Sequence, residues 1–167
     1  MYGWVPGTFS LELIHACNPE RGPDILLTFL WTSGNNAFGV AGADTTDTNG
    51  TTGPQTGAVS GHGGLSPWTV HNTFIAWGRD FKRGVTVETP ASTVDLAPTI
   101  LALMRIIDHT ARDGRVLQEA LRGGSDPHRV TVETRVLKTK SRGRYQAALQ
   151  FSRVGRSRYI DKGWRLP

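Results

Sequence analysis

The chain has 167 residues, 38% of them hydrophobic and 8% aromatic, with one cysteine and a formal net charge of +5. That composition belongs to an ordinary globular chain able to bury a core and excludes a disordered one. The lone Cys17 excludes an internal disulfide framework and a cysteine-only metal cluster. No run approaches about 18 consecutive apolar residues, so a membrane is not an expected partner.

In chain order, "MYGWVPGTFSLELIH" lacks a basic n-region and a clean apolar h-region. No secretory signal is expected there, and the cytoplasm is the default compartment. Residues 25–31, "ILLTFLW", form a nearly all-apolar run that suits a strand buried on both faces. Residues 33–67 are rich in Gly and Thr without periodicity, and a loop of that length in a compact domain is usually functional or disordered. "HNTFIAWG" (71–78) is a second buried-strand candidate, and "GRDFKRG" after it reads as a turn. A helix is then expected, with Asp95 as its N-cap, Pro98 in its first turn, and Leu96, Ile100, Met104 and Ile107 forming one apolar stripe with Leu103 beside it. His109 follows the stripe, where a histidine favours the helix dipole. A short second helix is expected over 115–122, stopped by Gly123 and Gly124. Residues 129–164 alternate Val130, Val132, Thr134 and Val136, then Tyr145, Ala147, Leu149 and Phe151, with turn-like "KSRG" and "VGRS" between them. That pattern predicts an antiparallel β-meander.

The expected fold is therefore α/β in a single domain, with an α/β part over 1–124 and a basic β-meander over 125–167. Two parallel-type strands and one solid helix are few for a complete doubly wound domain.

Charge is unevenly placed. Residues 128–167 carry eleven Lys or Arg against two acids, a net of +9, while residues 1–127 carry eight against twelve, a net of −4. Between Arg21 and Arg79 there is no Lys or Arg, and that stretch holds His62, His71, Asp24, Asp44 and Asp47. A region without fixed positive charge does not repel a bound cation. His62 stands among Gly61, Gly63 and Gly64, which let backbone approach an ion closely, and imidazole is the commonest transition-metal ligand. A surface histidine in a flexible loop has the same pattern. His71 opens the second strand candidate, where α/β proteins assemble their sites, and a half-buried histidine bonded to backbone fits it equally. Asp44, Asp47 and His71 are the nearby groups that could complete a site shared between two chains. Cys17 lies two residues from His15, but a nucleophile and its base need geometry set by a fold rather than proximity in sequence. His128 falls in no pattern, and no G-x-S-x-G, H-E-x-x-H, Walker loop or paired-cysteine zinc motif is present. The bases of the tail read as charges protecting the edge of a sheet. Its aromatics are not interleaved with them as stacking platforms, so nucleic acid is not an expected partner. A non-catalytic module that binds nucleic acid or another polyanion through the basic tail is the alternative to an enzyme.

The stretch "GHGGLSPWTVHNTFIAWGRDFKRGVTVETPASTVDLAPTILALM" resembles the C-terminal part of the alkaline phosphatase superfamily, in its type I phosphodiesterase/nucleotide pyrophosphatase and sulfatase-like branches. The flanks "ACNPERGPDILLTFLW", "NAFGVAG", "DGRVLQEAL" and "RYIDKGW" extend the likeness from about Phe9 to Trp164. The resemblance implies a partial alkaline-phosphatase-like sheet with flanking helices and two-metal hydrolysis of phosphate or sulfate esters, usually with zinc. It implies that His62 is a late metal ligand and that His71 and Asn72 support it. The family's nucleophile and its other metal ligands lie in an N-terminal half with no counterpart here. The resemblance thus implies the last third of a hydrolase, inactive alone and paired with a missing N-terminal half or with copies of itself.

Overall fold

The computed structural model describes residues 1–35, 39, 41–42, 63–140 and 143–167. Most of the glycine- and threonine-rich loop expected over 33–67 lies outside them. The described residues build a mixed fold of short helices and one three-stranded antiparallel sheet. The strands are β1 (Glu133–Lys138), β2 (Ala147–Val154) and β3 (Ser157–Arg165), in the order β1-β2-β3. This is the expected meander. Gly155 and Arg156 close the β2–β3 hairpin as a two-residue loop, and Gly155 takes the positive φ of 58° that such a loop favours at its first position. β2 is the central strand, buried on both faces, whereas β1 is an exposed edge.

The chain divides into two compact units. The first comprises Met1–Thr73, Val136–Phe151 and Ile160–Pro167. Its core is Leu13, Ala148, Leu149 and Phe151. Ser10 caps a 3-10 turn, Leu11–Ile14, by accepting the Glu12 N–H. The Gly163 N–H donates to the Leu65 carbonyl at 2.8 Å, and the Gly163 carbonyl accepts the Trp31 indole N–H at 2.5 Å. A Cβ on Gly163 would meet Leu65 Cδ1 at 2.8 Å and Leu65 Cβ at 3.2 Å, so a side chain there would push the Leu65 side chain aside. A cavity of about 360 Å³ opens here, lined by residues such as Leu27, Phe29, Tyr145, Leu149 and Trp164.

Residues 25–31 do not form the strand their composition suggests. No ladder partner meets residues 25–30 among the described residues, and Ile25 and Leu27 are 69% and 81% exposed. A run apolar on both sides becomes a strand only when sheet neighbours pair its backbone and cover its faces.

The second unit comprises Phe74–Arg135 and Ser152–Tyr159, with Leu117, Leu121, Val154 and Tyr159 as its buried apolar residues. The strand expected over 71–78 is likewise absent, and Ile75 and Trp77 are exposed. The turn after it forms at Arg79 and Asp80, closed by the Phe81 N–H on the Gly78 carbonyl at 3.4 Å, and Phe81 beyond it bridges Leu121. The Lys82 N–H donates to the Ala120 carbonyl at 3.0 Å, and the Arg122 N–H to the Asp80 carbonyl at 2.7 Å. The second helix shrinks to one 3-10 turn, Gln118–Ala120.

The main helix, Leu96–Leu103, starts where expected but not as expected. Asp95 makes no side-chain cap to it. Instead Ser92 opens a 3-10 turn, Thr93–Asp95, and its N–H donates to Asp95 Oδ2 at 2.9 Å. The helix ends early because Arg105 adopts φ 56° and closes a Schellman motif. In that motif the Ile106 N–H bonds the Leu101 carbonyl and the Arg105 N–H bonds the Ala102 carbonyl. His109 is therefore outside the helix and not in its last turn. The stripe also faces the wrong way for a core: Ile100 and Met104 are 51% and 64% exposed, while Asp95 and Thr99 are buried.

Candidate metal centre and a buried polar cluster

His62, Asp44 and Asp47 lie outside the described residues. What the structure describes is the root to which the His62 loop returns, in the first unit. Ser66 is fully buried, and its Oγ accepts the Thr69 N–H at 3.1 Å to cap a four-residue helix, α1 (Pro67–Val70). Pro67 falls at its first position, where a missing N–H costs nothing. Trp68 meets Trp31 edge-on with ring centres 5.7 Å apart. A serine cap, an N1 proline and an aromatic pair thus fix the backbone from Ser66, four residues after the loop histidine.

His71 and Asn72 follow α1 at the surface. The His71 N–H bonds the Pro67 carbonyl at 2.9 Å, and Asn72 Nδ2 donates to the Thr69 carbonyl at 3.1 Å. Both therefore terminate a helical turn and do not sit at a strand end. Among the described residues no three His, Cys, Asp or Glu side chains come together as a metal site. A catalytic zinc takes three protein ligands. The described residues do not supply that set, so no catalytic step through zinc is derived from them. Cys17 is exposed and free, and His15 caps the turn Leu11–Ile14 with φ 56°.

The second unit holds a polar cluster that no motif signalled. The Arg115 guanidinium meets Glu119 in a bidentate pair, Nη1 to Oε2 at 2.8 Å and Nη2 to Oε1 at 2.6 Å. Its Nε donates to the Tyr159 hydroxyl at 2.9 Å and its Nη2 to the Pro90 carbonyl at 3.0 Å. Asp95 Oδ1 accepts the Arg115 N–H at 2.8 Å and the Tyr159 hydroxyl at 3.2 Å. Thr99 Oγ1 accepts the Leu117 N–H at 3.1 Å, and Lys82 Nζ donates to the Glu119 carbonyl at 3.0 Å.

Burial pushes the Glu119 carboxyl up, but the hydrogen bonds from Arg115 and from its own backbone, with the charges of Arg115 and Lys82, outweigh it and hold the group below its ordinary value. Burial, then the Asp95 charge, drives the Tyr159 phenol up to about 12 against the pull of Arg115. No buried side-chain nitrogen or oxygen among the described residues lacks a partner. With each of its side chains hydrogen-bonded within it, the cluster ties helix, loop and strand together. The sequence did carry one hint, the i,i+4 spacing of Arg115 and Glu119.

No protein-family model matches the chain, and comparison with curated proteins and with solved structures finds no match. Among the described residues no helix is long and apolar enough to cross a membrane.

Proposed function

We propose that this chain is the C-terminal portion of a metal-dependent ester hydrolase of the alkaline phosphatase superfamily, of the phosphodiesterase/nucleotide pyrophosphatase or sulfatase-like type. In this reading His62 is one ligand of a two-metal zinc centre whose other ligands and nucleophile come from outside this chain, and the chain alone does not turn over.

The observation that carries the reading is the inverted burial of the Leu96–Leu103 helix. Its polar face, Asp95 and Thr99, is buried, and its apolar stripe, with Ile100 and Met104, stands in solvent. Fully burying one such side chain is worth about 1.5–3 kcal/mol, so an uncovered stripe is a face awaiting a neighbour. Residues 25–30 make the same point separately in the first unit. A piece of an α/β sheet lacking its other strands carries this surface, and the ordered motifs from Gly61 to Met104 name the sheet it resembles.

The test is a zinc titration of the whole chain followed by histidine-ring NMR, with bis-p-nitrophenyl phosphate hydrolysis assayed in the same samples. Zinc is expected to shift the His62 ring and to bind weakly, and no turnover is expected. A His62 ring indifferent to zinc overturns the ligand assignment. Turnover that disappears in His62→Ala overturns the claim that the catalytic half is elsewhere.

A further inference from the structure

The arginines at the hairpin end of the sheet form a cluster whose arrangement their supposed role does not explain. The two-residue loop after Val154 sets Val154 opposite Ser157, and therefore Arg153 directly opposite Arg158 on the same face. The Gln150–Asp161 side-chain contact at 3.3 Å keeps that register. On the other side of β2, Thr139 N bonding the Ala147 carbonyl and Thr134 facing Ser152 set Glu133 opposite Arg153. Three charged residues thus form one row across the sheet, Glu133, Arg153 and Arg158. Arg135 lies beside them on β1, and Arg156 is in the turn.

Directly opposed residues have Cβ atoms about 4.5–5.5 Å apart, and like charges so placed destabilise a sheet. Glu133 is the one acid in the row, and both Arg135 and Arg153 lean on it, at 3.2 and 3.4 Å. Arg158 makes no ion pair among the described residues. Protection of sheet edges accounts for a base on β1 or β3. It does not account for Arg153, which is on the central strand.

We propose that this hairpin end binds the phosphodiester backbone of nucleic acid without reading its sequence. Four guanidiniums stand against two carboxylates, Glu133 and Asp113, whose carbonyl accepts the Ser157 hydroxyl at 3.1 Å, and leave a net charge of +2 on a small surface. All four are arginines, whose planar forks match phosphate oxygens two at a time. Protein partners are held chiefly by aromatic and aliphatic anchors, and of the apolar residues of this end Val154 and Tyr159 are buried, leaving only the small Val132 side chain, 40% exposed, beside the charged row. No aromatic here can stack on a base, so binding is electrostatic and indifferent to sequence. The inference rests on sheet register and is independent of the hydrolase reading.

The test is fluorescence anisotropy of the whole chain, without zinc, against a labelled duplex of about 20 base pairs and its single strand, between about 50 and 200 mM salt. Three neutralised phosphates give a log–log salt slope near −2.7 for duplex, a loss of roughly 40-fold over that range. Arg153→Gln with Arg158→Gln is expected to make the slope shallower by about 1.8 and to weaken all sequences alike. The same variant removes a like-charge pair and one exposed ion pair, Arg153 to Glu133, so its thermal midpoint should change little. Absence of binding at the lowest salt overturns the proposal, and so does an unchanged slope in the double variant. Binding of one sequence far above others overturns its sequence-blind character.

Discussion

Glu119→Gln tests the buried cluster most directly. The substitution keeps size and one acceptor oxygen, but turns an NH₂ donor toward the guanidinium N–H groups now held at 2.8 and 2.6 Å. Breaking a fully buried ion pair by removing one partner costs about 3–5 kcal/mol. The Arg115 side chain keeps 17% of its exposure against 2% for Glu119, so water offsets part of that cost and about 2–3 kcal/mol is expected. For a chain of this size that is a fall of roughly 4–12 °C in the thermal midpoint. The assay is thermal unfolding by circular dichroism at neutral and acid pH. Because the folded carboxyl titrates below its ordinary 4.5, its contribution is complete above that value and is lost as pH falls through the folded pKa. Wild type and variant should therefore converge under acid, where both carry a neutral side chain. A midpoint change under about 1 °C at neutral pH, or a gap undiminished by acid, would refute the reasoning.

Other consequences are as open to measurement. A Cβ on Gly114 would stand 2.0 Å from the Val94 carbonyl oxygen, so Gly114→Ala must move backbone and should cost 3 kcal/mol or about that, read by chemical denaturation. Arg105→Gly relieves a left-handed residue at the end of the Leu96–Leu103 helix and should stabilise by about 0.5–1 kcal/mol in the same assay. In an ultraviolet pH titration the Tyr159 phenol should ionise near 12. Stability is then fully present below the unfolded phenol value of 10.0 and lost as pH rises through 12; Tyr159→Phe should remove that loss. Sedimentation velocity should show self-association through the exposed stripe, weakened by Ile100→Glu with Met104→Glu; a monomer at all concentrations contradicts this.

The meander was legible because a period of two with turn residues between runs is a local signal, and local signals need no distant partner. The start of the Leu96–Leu103 helix was legible for the same reason. Its end was not, since Arg105 takes the left-handed position where a glycine would have announced the stop. Residues 25–31 and 71–78 misled for a different reason. Their apolar content states that they are to be covered, not by what, and strand geometry exists only once a neighbour supplies the hydrogen bonds.

The polar cluster shows what sequence patterns leave out. Asp95 and Tyr159 are 64 residues apart, and neither stands in a pattern that implies the other. Asp95 looked like a cap because it precedes an apolar helix, and it is buried because three donors converge on it: the Ser92 N–H, the Arg115 N–H and the Tyr159 hydroxyl. Gly114 makes that convergence feasible, since a Cβ there would stand 2.0 Å from the Val94 carbonyl oxygen and 2.8 Å from the Asp95 nitrogen. The stretches "VDLAPTIL" and "DGRVLQEAL" are thus joined in space by a structural tie through Asp95 and Arg115. By contrast, the backbone from Ser66 to Trp68 is fixed by a serine cap, an N1 proline and an aromatic pair, with no such polar cluster beside it among the described residues.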